Sequence, residues 1–333
     1  MSTDPISVIG VVTTCKRPAT LRTLLGSLKE AGPLRKVIVV DNGPDAETET
    51  LCREQPFPVL YDRPGRNLGC GGGIGRGLML GSQDPGVTHF CCFDDDAYAT
   101  PGAVEALVGG MIAAEADLAV PLILNAEGYI SWPPGLLERQ PWHALLRGRL
   151  APAQYRAAFG LGPVPFSWAP WMTLALSASV VRECGYPRDD FWLGAEDLEY
   201  TLRLTYRHRG VLVPAAVCCH VPPPMPGGND LGGPHYLKHC LMLENLSYMT
   251  TRLPHARRIL RHLPGNYWRF VRTFGCNAAT VRDGWLAWWR GAVRGKPAGI
   301  AGDSWKEKMS EAYMGQRAAN PPASPAATVS NTE

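Results

Sequence analysis

Three short runs near the amino terminus, Ser7–Thr13 (SVIGVVT), Val37–Val40 and Phe90–Phe93 (FCCF), carry almost no polar alternation. Side chains of a strand point alternately to its two faces, so an uninterrupted apolar run must be buried on both. That is the pattern of a parallel sheet covered on each side by helices. Helical stretches lie between the runs. Thr20 caps one in which Leu21, Leu24, Leu25 and Leu28 share a face, and a weaker one spans Asp45–Glu54. Val59–Tyr61 and Leu118–Leu124 read as further strands, and Trp168–Trp171 leads into a strand that runs on into a helix. Phe191–Glu199 opens another helix, reaching toward Gly210, and Val211–Cys219 is a last strand. Strands alternating with helices predict an α/β domain with a mostly parallel central sheet.

In such sheets ligands gather at the carboxyl ends of the strands, and there this chain places its polar clusters. Phe90–Phe93 opens onto Asp94, Asp95 and Asp96, with Thr100 as N-cap and Pro101 as first residue of the helix expected next. Clustered carboxylates at the end of a buried strand resist joint ionisation. A divalent cation would neutralise them; an acidic, solvent-exposed turn is the alternative. Asp41-Asn42-Gly43 ends a second strand and is either a carboxylate for a base or ribose or a simple turn. Gly69–Gly77 contains neither G-x-G-x-x-G nor a P-loop. It is expected to be a glycine-rich turn before a helix, offering amides to a phosphate or serving only as a flexible connection, with Arg66 and Asn67 just upstream. Glu196-Asp197 opens a helix, where the dipole favours a carboxylate, as a general base or a plain helix-start acid. His220, after an apolar strand, is a candidate metal ligand or a satisfied polar residue, and the Pro/Gly loop 223–235 beyond it is a candidate lid.

Charge divides the chain. Residues 252–296 hold ten Lys and Arg against one acid, Asp283, although the whole chain carries only +3, so the preceding body is net acidic. Trp268, Trp285, Trp288 and Trp289 are interleaved with those charges, as in helices that lie on an anionic membrane surface. Packing against the body or a second subunit, as in a homo-oligomer, is the alternative. The acidic body argues against nucleic acid as a partner. The ten cysteines are scattered with no CxxC, and the first residues lack the basic start and apolar core of a signal peptide. The expectation is a reducing, cytoplasmic setting, with no structural zinc and peripheral contact at the inner face of the membrane. The expected domain plan is 1–222 as the nucleotide-binding domain with an insertion at 133–165, then the lid 223–235, a helical basic and aromatic segment 236–314, and a disordered tail 315–333.

The order of the pieces is more specific than any one of them. Thr13-Thr14-Cys-Lys-Arg17-Pro18, VVDNG, RNLGCGGG, the strand into DDD, GAEDLEYTLR and His220 together resemble a family 2 glycosyltransferase over residues 6–222. The resemblance implies a GT-A fold with an acceptor-side extension. Within the family it points to galactofuranosyl- and rhamnosyltransferases of bacterial envelope polysaccharide synthesis. It implies that Thr13 and Arg17 touch the nucleotide, Asp41 the base, and Arg66 and Asn67 the base or diphosphate. Asp95 would meet the ribose or donor sugar, and Asp94, Asp96 and His220 would hold Mn²⁺ or Mg²⁺. Asp197 would be the catalytic base, Glu196 its neighbour at the acceptor, and Trp168 and Trp171 an acceptor platform. The donor would be a UDP- or dTDP-linked sugar, the acceptor a glycan or glycolipid, and the outcome inversion at the anomeric carbon. Cys15-Lys16 departs from the family's usual aromatic-Asn pair. A non-catalytic sugar-nucleotide-binding scaffold and a nucleotidyltransferase are the rival readings. Retention of Asp94, Asp96, Asp197 and His220 argues against the first, and the lack of glycines in Thr13–Pro18 against the second.

Overall fold

The structure, a computed structural model, describes residues 5–136, 150–222, 230–257 and 263–294. Among them eleven strands form one sheet: β1 (Val8–Thr14), β2 (Lys36–Asp41), β3 (Val59–Asp62), β4 (His89–Asp94), β5 (Ala97–Ala99), β6 (Leu118–Leu124), β7 (Ile130–Ser131), β8 (Gly135–Leu136), β9 (Val164–Trp168), β10 (Thr173–Ser177) and β11 (Gly210–His220). The order is β3-β2-β1-β4-β10-β6-β11-β9-β8, with β5 on β11 and β7 on β6. The pairs β3–β2, β2–β1, β1–β4 and β6–β11 are parallel, as expected. β10 is antiparallel to both β4 and β6 and joins the two parallel blocks.

The doubly apolar strands divide their side chains between two cores. Val8 and Val12 of β1 and Cys91 and Phe93 of β4 pack with the leucines of α1 (Pro18–Leu28), with Leu51 of α2 (Ala46–Arg53) and with α4 (Ala103–Ala113). Ile9, Val11, Phe90 and Cys92 face the opposite side, against α3 (Gly69–Gly81), α6 (Ala178–Cys184) and α7 (Glu196–Leu204). Tyr155 of α5 (Pro152–Phe159) completes that second core.

Two local expectations are corrected. Gly69–Gly77 is no phosphate-ready turn: the whole segment is helix α3, seven of whose thirteen residues are glycine. Glycine is a poor helix former, costing about 1 kcal/mol per residue relative to alanine, so packing must hold this helix. It lies where side chains would not fit. A Cβ on Gly77 would overlap Val11, and one on Gly73 would overlap Thr13. Thr100 and Pro101 do not start a helix either. The chain turns through β5 first, Thr100 donates its hydroxyl to the Val217 carbonyl at 2.8 Å, and α4 begins after Gly102. Pairing with β11 outcompeted the local cap signal.

The carboxyl-terminal segment forms α8 (Pro234–Arg252), α9 (Leu263–Phe274) and α10 (Ala278–Arg294). Pro264 sits in the first turn of α9, where a missing amide proton costs nothing. Phe270, Val271 and Phe274 of α9 close over Tyr236, Leu237 and Cys240 of α8, beside Ala287 of α10. Most of the expected lid (223–229), the middle of the insertion (137–149) and the whole tail lie outside the described residues. No described helix is long and apolar enough to cross a membrane.

Candidate active site

Strand register brings the polar clusters to one edge. Thr13 pairs with Asp94 and Thr14 with Asp41, so β1, β2 and β4 end side by side. After Asp96 the chain doubles back as β5 along the end of β11, with Ala97 opposite His220, and the Val221 amide donates to the Asp96 carbonyl at 3.1 Å. His220 Nε2 thereby comes to 3.1 Å from Asp96 Oδ1. One ligand atom each from Asp94, Asp96 and His220 lie within 4.8 Å of one another. Two carboxylates and an imidazole make a donor set suited to Mn²⁺ or Mg²⁺. No other described aspartate sits among these ligands.

Burial sets the charge state. It pushes the Asp94 carboxyl up to about 7, reinforced by Asp96 and opposed by His220. For Asp96 burial acts the same way, but the His220 hydrogen bond and the Arg17 charge outweigh it and hold the carboxyl below its ordinary value. At His220 burial lowers the imidazole, but the Asp96 hydrogen bond together with the charges of Asp96 and Asp94 outweighs it and raises the imidazole. With one carboxyl pushed up and its neighbour held down, added positive charge would favour ionisation of both.

Asp95 turns away from those ligands. It accepts from Thr14 Oγ1 at 2.7 Å and from Arg17 Nη1 at 3.0 Å, and Arg17 also reaches Asp96 Oδ2 at 3.1 Å. Both Asp95 and Arg17 are thus engaged within the protein and tie the first loop to the triple aspartate. Asp41, fully buried, accepts from Tyr61 Oη at 2.7 Å and from the Gly43 amide at 3.0 Å. Burial raises its carboxyl. Asn67 Oδ1 accepts from the Gly69 amide at 2.8 Å, whereas the Arg66 side chain is 72% exposed and reaches only toward Asp189.

Glu196 and Asp197 occupy the first turn of α7, against α3. Gly71 leaves room for Glu196, whose Cβ would lie 3.2 Å from a Cβ built there. Burial pushes the Glu196 carboxyl up to about 8, with Asp197 and Asp94 adding to it. Burial also raises Asp197, whose Oδ1 accepts from the Leu198 amide at 2.7 Å. The charge of Lys238, on α8, opposes both shifts. Trp168 stands over Gly135 at the end of β9, half-buried. Trp171 is only 3% exposed and lies in the core against Tyr200, leaving little ring surface to offer an acceptor.

Four site residues escaped the sequence reading. Asn42 links Thr13 Oγ1 (3.0 Å), the Gly69 carbonyl (2.9 Å) and the Leu68 amide (2.9 Å), and Thr14 holds Asp95. Trp132, mostly exposed, stands edge-on to His220 with ring centroids 5.8 Å apart. Lys238 is the fourth. Asn42 and Thr14 adjoin residues already singled out, so their neighbours were the available signal. For Trp132 and Lys238 no local motif exists.

Residues 10–149 match the model of glycosyl transferase family 2. This stretch is similar to the family 2 glycosyltransferases. The structure is similar to S. aureus TarS 1–349 at a TM-score of 0.55 and 14% identity, covering 93% of this chain and 89% of that one. The same TarS fragment in complex with UDP gives 0.53 and 15%, with the same coverage. GalNAc-T7 with UDP, GalNAc and Mn²⁺ gives 0.52 and 14%, covering 79% of this chain and 54% of that one. The chain therefore spans about half the GalNAc-T7 chain, and at these identities the likeness speaks for the GT-A fold alone. No curated protein matches the chain in sequence.

Proposed function

We propose that this glycosyltransferase moves a sugar from a nucleoside diphosphate donor, UDP- or dTDP-linked, to a hydroxyl of a glycan or glycolipid, inverting the anomeric centre. The observation that carries the reading is the convergence of Asp94, Asp96 and His220 at the strand edge that also carries Asp41, with the half-buried Asp197 close enough to add to the charge felt by Asp94. In this reading Asp41 and Thr13, with Arg66 and Asn67, receive the nucleoside and diphosphate. Asp94, Asp96 and His220 hold the Mn²⁺ or Mg²⁺, which when bound neutralises charge on the leaving diphosphate. Asp95 and Arg17 brace the first loop beside the ribose and donor sugar.

Asp197 takes the proton from the acceptor hydroxyl as that oxygen attacks the anomeric carbon, while the bond to the diphosphate oxygen breaks with its electron pair. A half-buried carboxylate with a raised proton affinity suits this task, because a stronger base takes up the acceptor proton more readily. Glu196 and the rings of Trp168 and Trp132 border the acceptor side. The order of motifs favours galactofuranose or rhamnose as the sugar and envelope polysaccharide as the product. The test is a thermal-shift screen of UDP- and dTDP-sugars, UDP-galactofuranose and dTDP-rhamnose included, with and without Mn²⁺. A metal-dependent rise with one sugar nucleotide supports the reading, and no rise with any removes it.

The exposed side of α10 supports an anionic membrane as the enzyme's working surface. Val281, Trp285, Trp288 and Ala292 recur at helical spacing away from the buried line Thr280, Gly284, Ala287 and Gly291. Trp285 is 52% exposed and stacks on Trp289, with Arg269, Arg272 and Arg282 also exposed on α9 and α10. Aromatic rings flanked by cations suit the headgroup region, and a lipid-borne acceptor would be met there.

A further inference from the structure

The segment that delivers Asp197 to the site is an unusual piece of backbone. Between the single 3-10 turn Asp189–Phe191 and α7, φ is positive at Trp192 (51°), Gly194 (86°) and Ala195 (68°). Two of these are not glycine, and such conformations persist only where the surroundings enforce them. The turn gathers the carbonyls of Phe191, Leu193 and Gly194 around one point. Asn245 of α8 fills that point: its Nδ2 donates to them at 2.9, 3.4 and 2.6 Å, and the residue is only 1% exposed. An amide nitrogen carries two protons, so the three carbonyls share them.

Other contacts close the same turn. Trp192 Nε1 donates to the Asn67 carbonyl at 3.3 Å, and the Trp192 carbonyl accepts from the Gly71 amide at 3.3 Å. A Cβ on Gly194 would come within 3.1 Å of Met242 Cβ on α8. One turn further along α7, the buried Glu199 meets His255 Nε2 at 3.3 Å, from the segment after α8. The start of α7 is therefore held by the donor-side loop on one flank and by the carboxyl-terminal helices on the other.

We propose that Asn245 is a positioning residue for the catalytic base: by holding three carbonyls of the left-handed turn it fixes where Asp197 meets the acceptor. The inference rests on the reading of Asp197 as base, and it makes α8 part of the catalytic apparatus rather than an appended support. Asn245→Asp would set a carboxylate against three carbonyl oxygens, and Asn245→Leu would remove the side-chain donor from all three, leaving the Phe191 carbonyl only the Leu193 amide.

In full-length protein, both variants are expected to lower kcat for transfer about 100-fold, the scale of a small misplacement of a reacting group. Donor KM and metal-dependent UDP affinity should stay at wild-type values. Hydrogen exchange of the amides of 192–198 should quicken while β1, β2 and β4 keep wild-type protection. Wild-type kcat in Asn245→Leu would overturn the proposal. So would loss of UDP binding in both variants, which would show that Asn245 holds the whole domain and not the turn. The exchange measurement reads the turn without any chemistry, whereas activity in Asp197→Asn would remove the base assignment alone, so the two failures are distinguishable.

Discussion

His220 Nε2 sits 3.1 Å from Asp96 Oδ1 because β5 folds the triple-aspartate turn back along the end of β11. The contact favours the ionised form of Asp96 and the protonated form of His220, an arrangement that a bound cation would displace. Removal of Asp96 should therefore be felt first in metal-dependent binding. Asp96→Ala is expected to abolish the gain in UDP affinity that Mn²⁺ confers, as read by calorimetry. Equal affinities with and without Mn²⁺ in the wild-type protein would contradict the metal assignment.

Asp94, with its carboxyl at about 7, is partly protonated at neutral pH. A metal ligand must be deprotonated. Binding of Mn²⁺ with UDP near pH 7 should release protons, measured as a calorimetric heat that varies with the ionisation enthalpy of the buffer. A heat independent of the buffer would contradict this.

Asp197→Asn keeps the side-chain shape and removes the base. Transfer should fall by about 10²–10⁴-fold, the usual contribution of general base catalysis, while UDP affinity stays at its wild-type value. Steady-state assays beside a UDP titration separate the two.

Glu196 links stability to pH. Burial raises its carboxyl from an ordinary value of 4.5 to about 8, so the folded state binds this proton more tightly than the unfolded state. The stability it contributes is full below 4.5 and is lost as pH rises through about 8. The Tm of metal-free protein should fall across that window, and Glu196→Gln should flatten the decline. Equal slopes in the two proteins would refute the assignment.

Trp285→Ala combined with Trp288→Ala should reduce sedimentation with anionic vesicles and leave soluble-acceptor turnover unchanged. Wild-type protein that stays in the supernatant would count against the membrane-facing reading of α10.

Much of the architecture was legible because burial on both faces leaves a plain trace in sequence: the runs of β1, β2 and β4 admit no other placement. The acidic ends of those strands were legible for the same reason, since a polar cluster stands out after an apolar run. What was hidden depends on partners distant in the chain. Nothing local marks β10 as antiparallel, and Thr100 carries a good cap signal that its bond to Val217 overrides. Gly69–Gly81 looks like a loop by propensity, and only the proximity of Val11, Thr13 and Glu196 explains a helix there. Asn245 gives no sequence signal at all, because its role exists only once α8 lies against the turn at Trp192.

The bare surface of α3 has a mechanical meaning. Thr13 and Asn42 press on it at Gly73, and Glu196 presses on it at Gly71. At Gly71 and Gly73 the ends of β1 and β2 and the start of α7 are therefore separated by main chain, while the Cys70 thiol of the same helix lies within reach of the charges of Glu196, Asp94 and Asp197. Substitution cannot tune that separation gradually, since the smallest addition, a methyl group at Gly73, already collides with Thr13. With Asp197 as the proposed base, the spacing set at Gly71 and Gly73 acts as a fixed gauge, and adaptation to new acceptors must come from the loops around it.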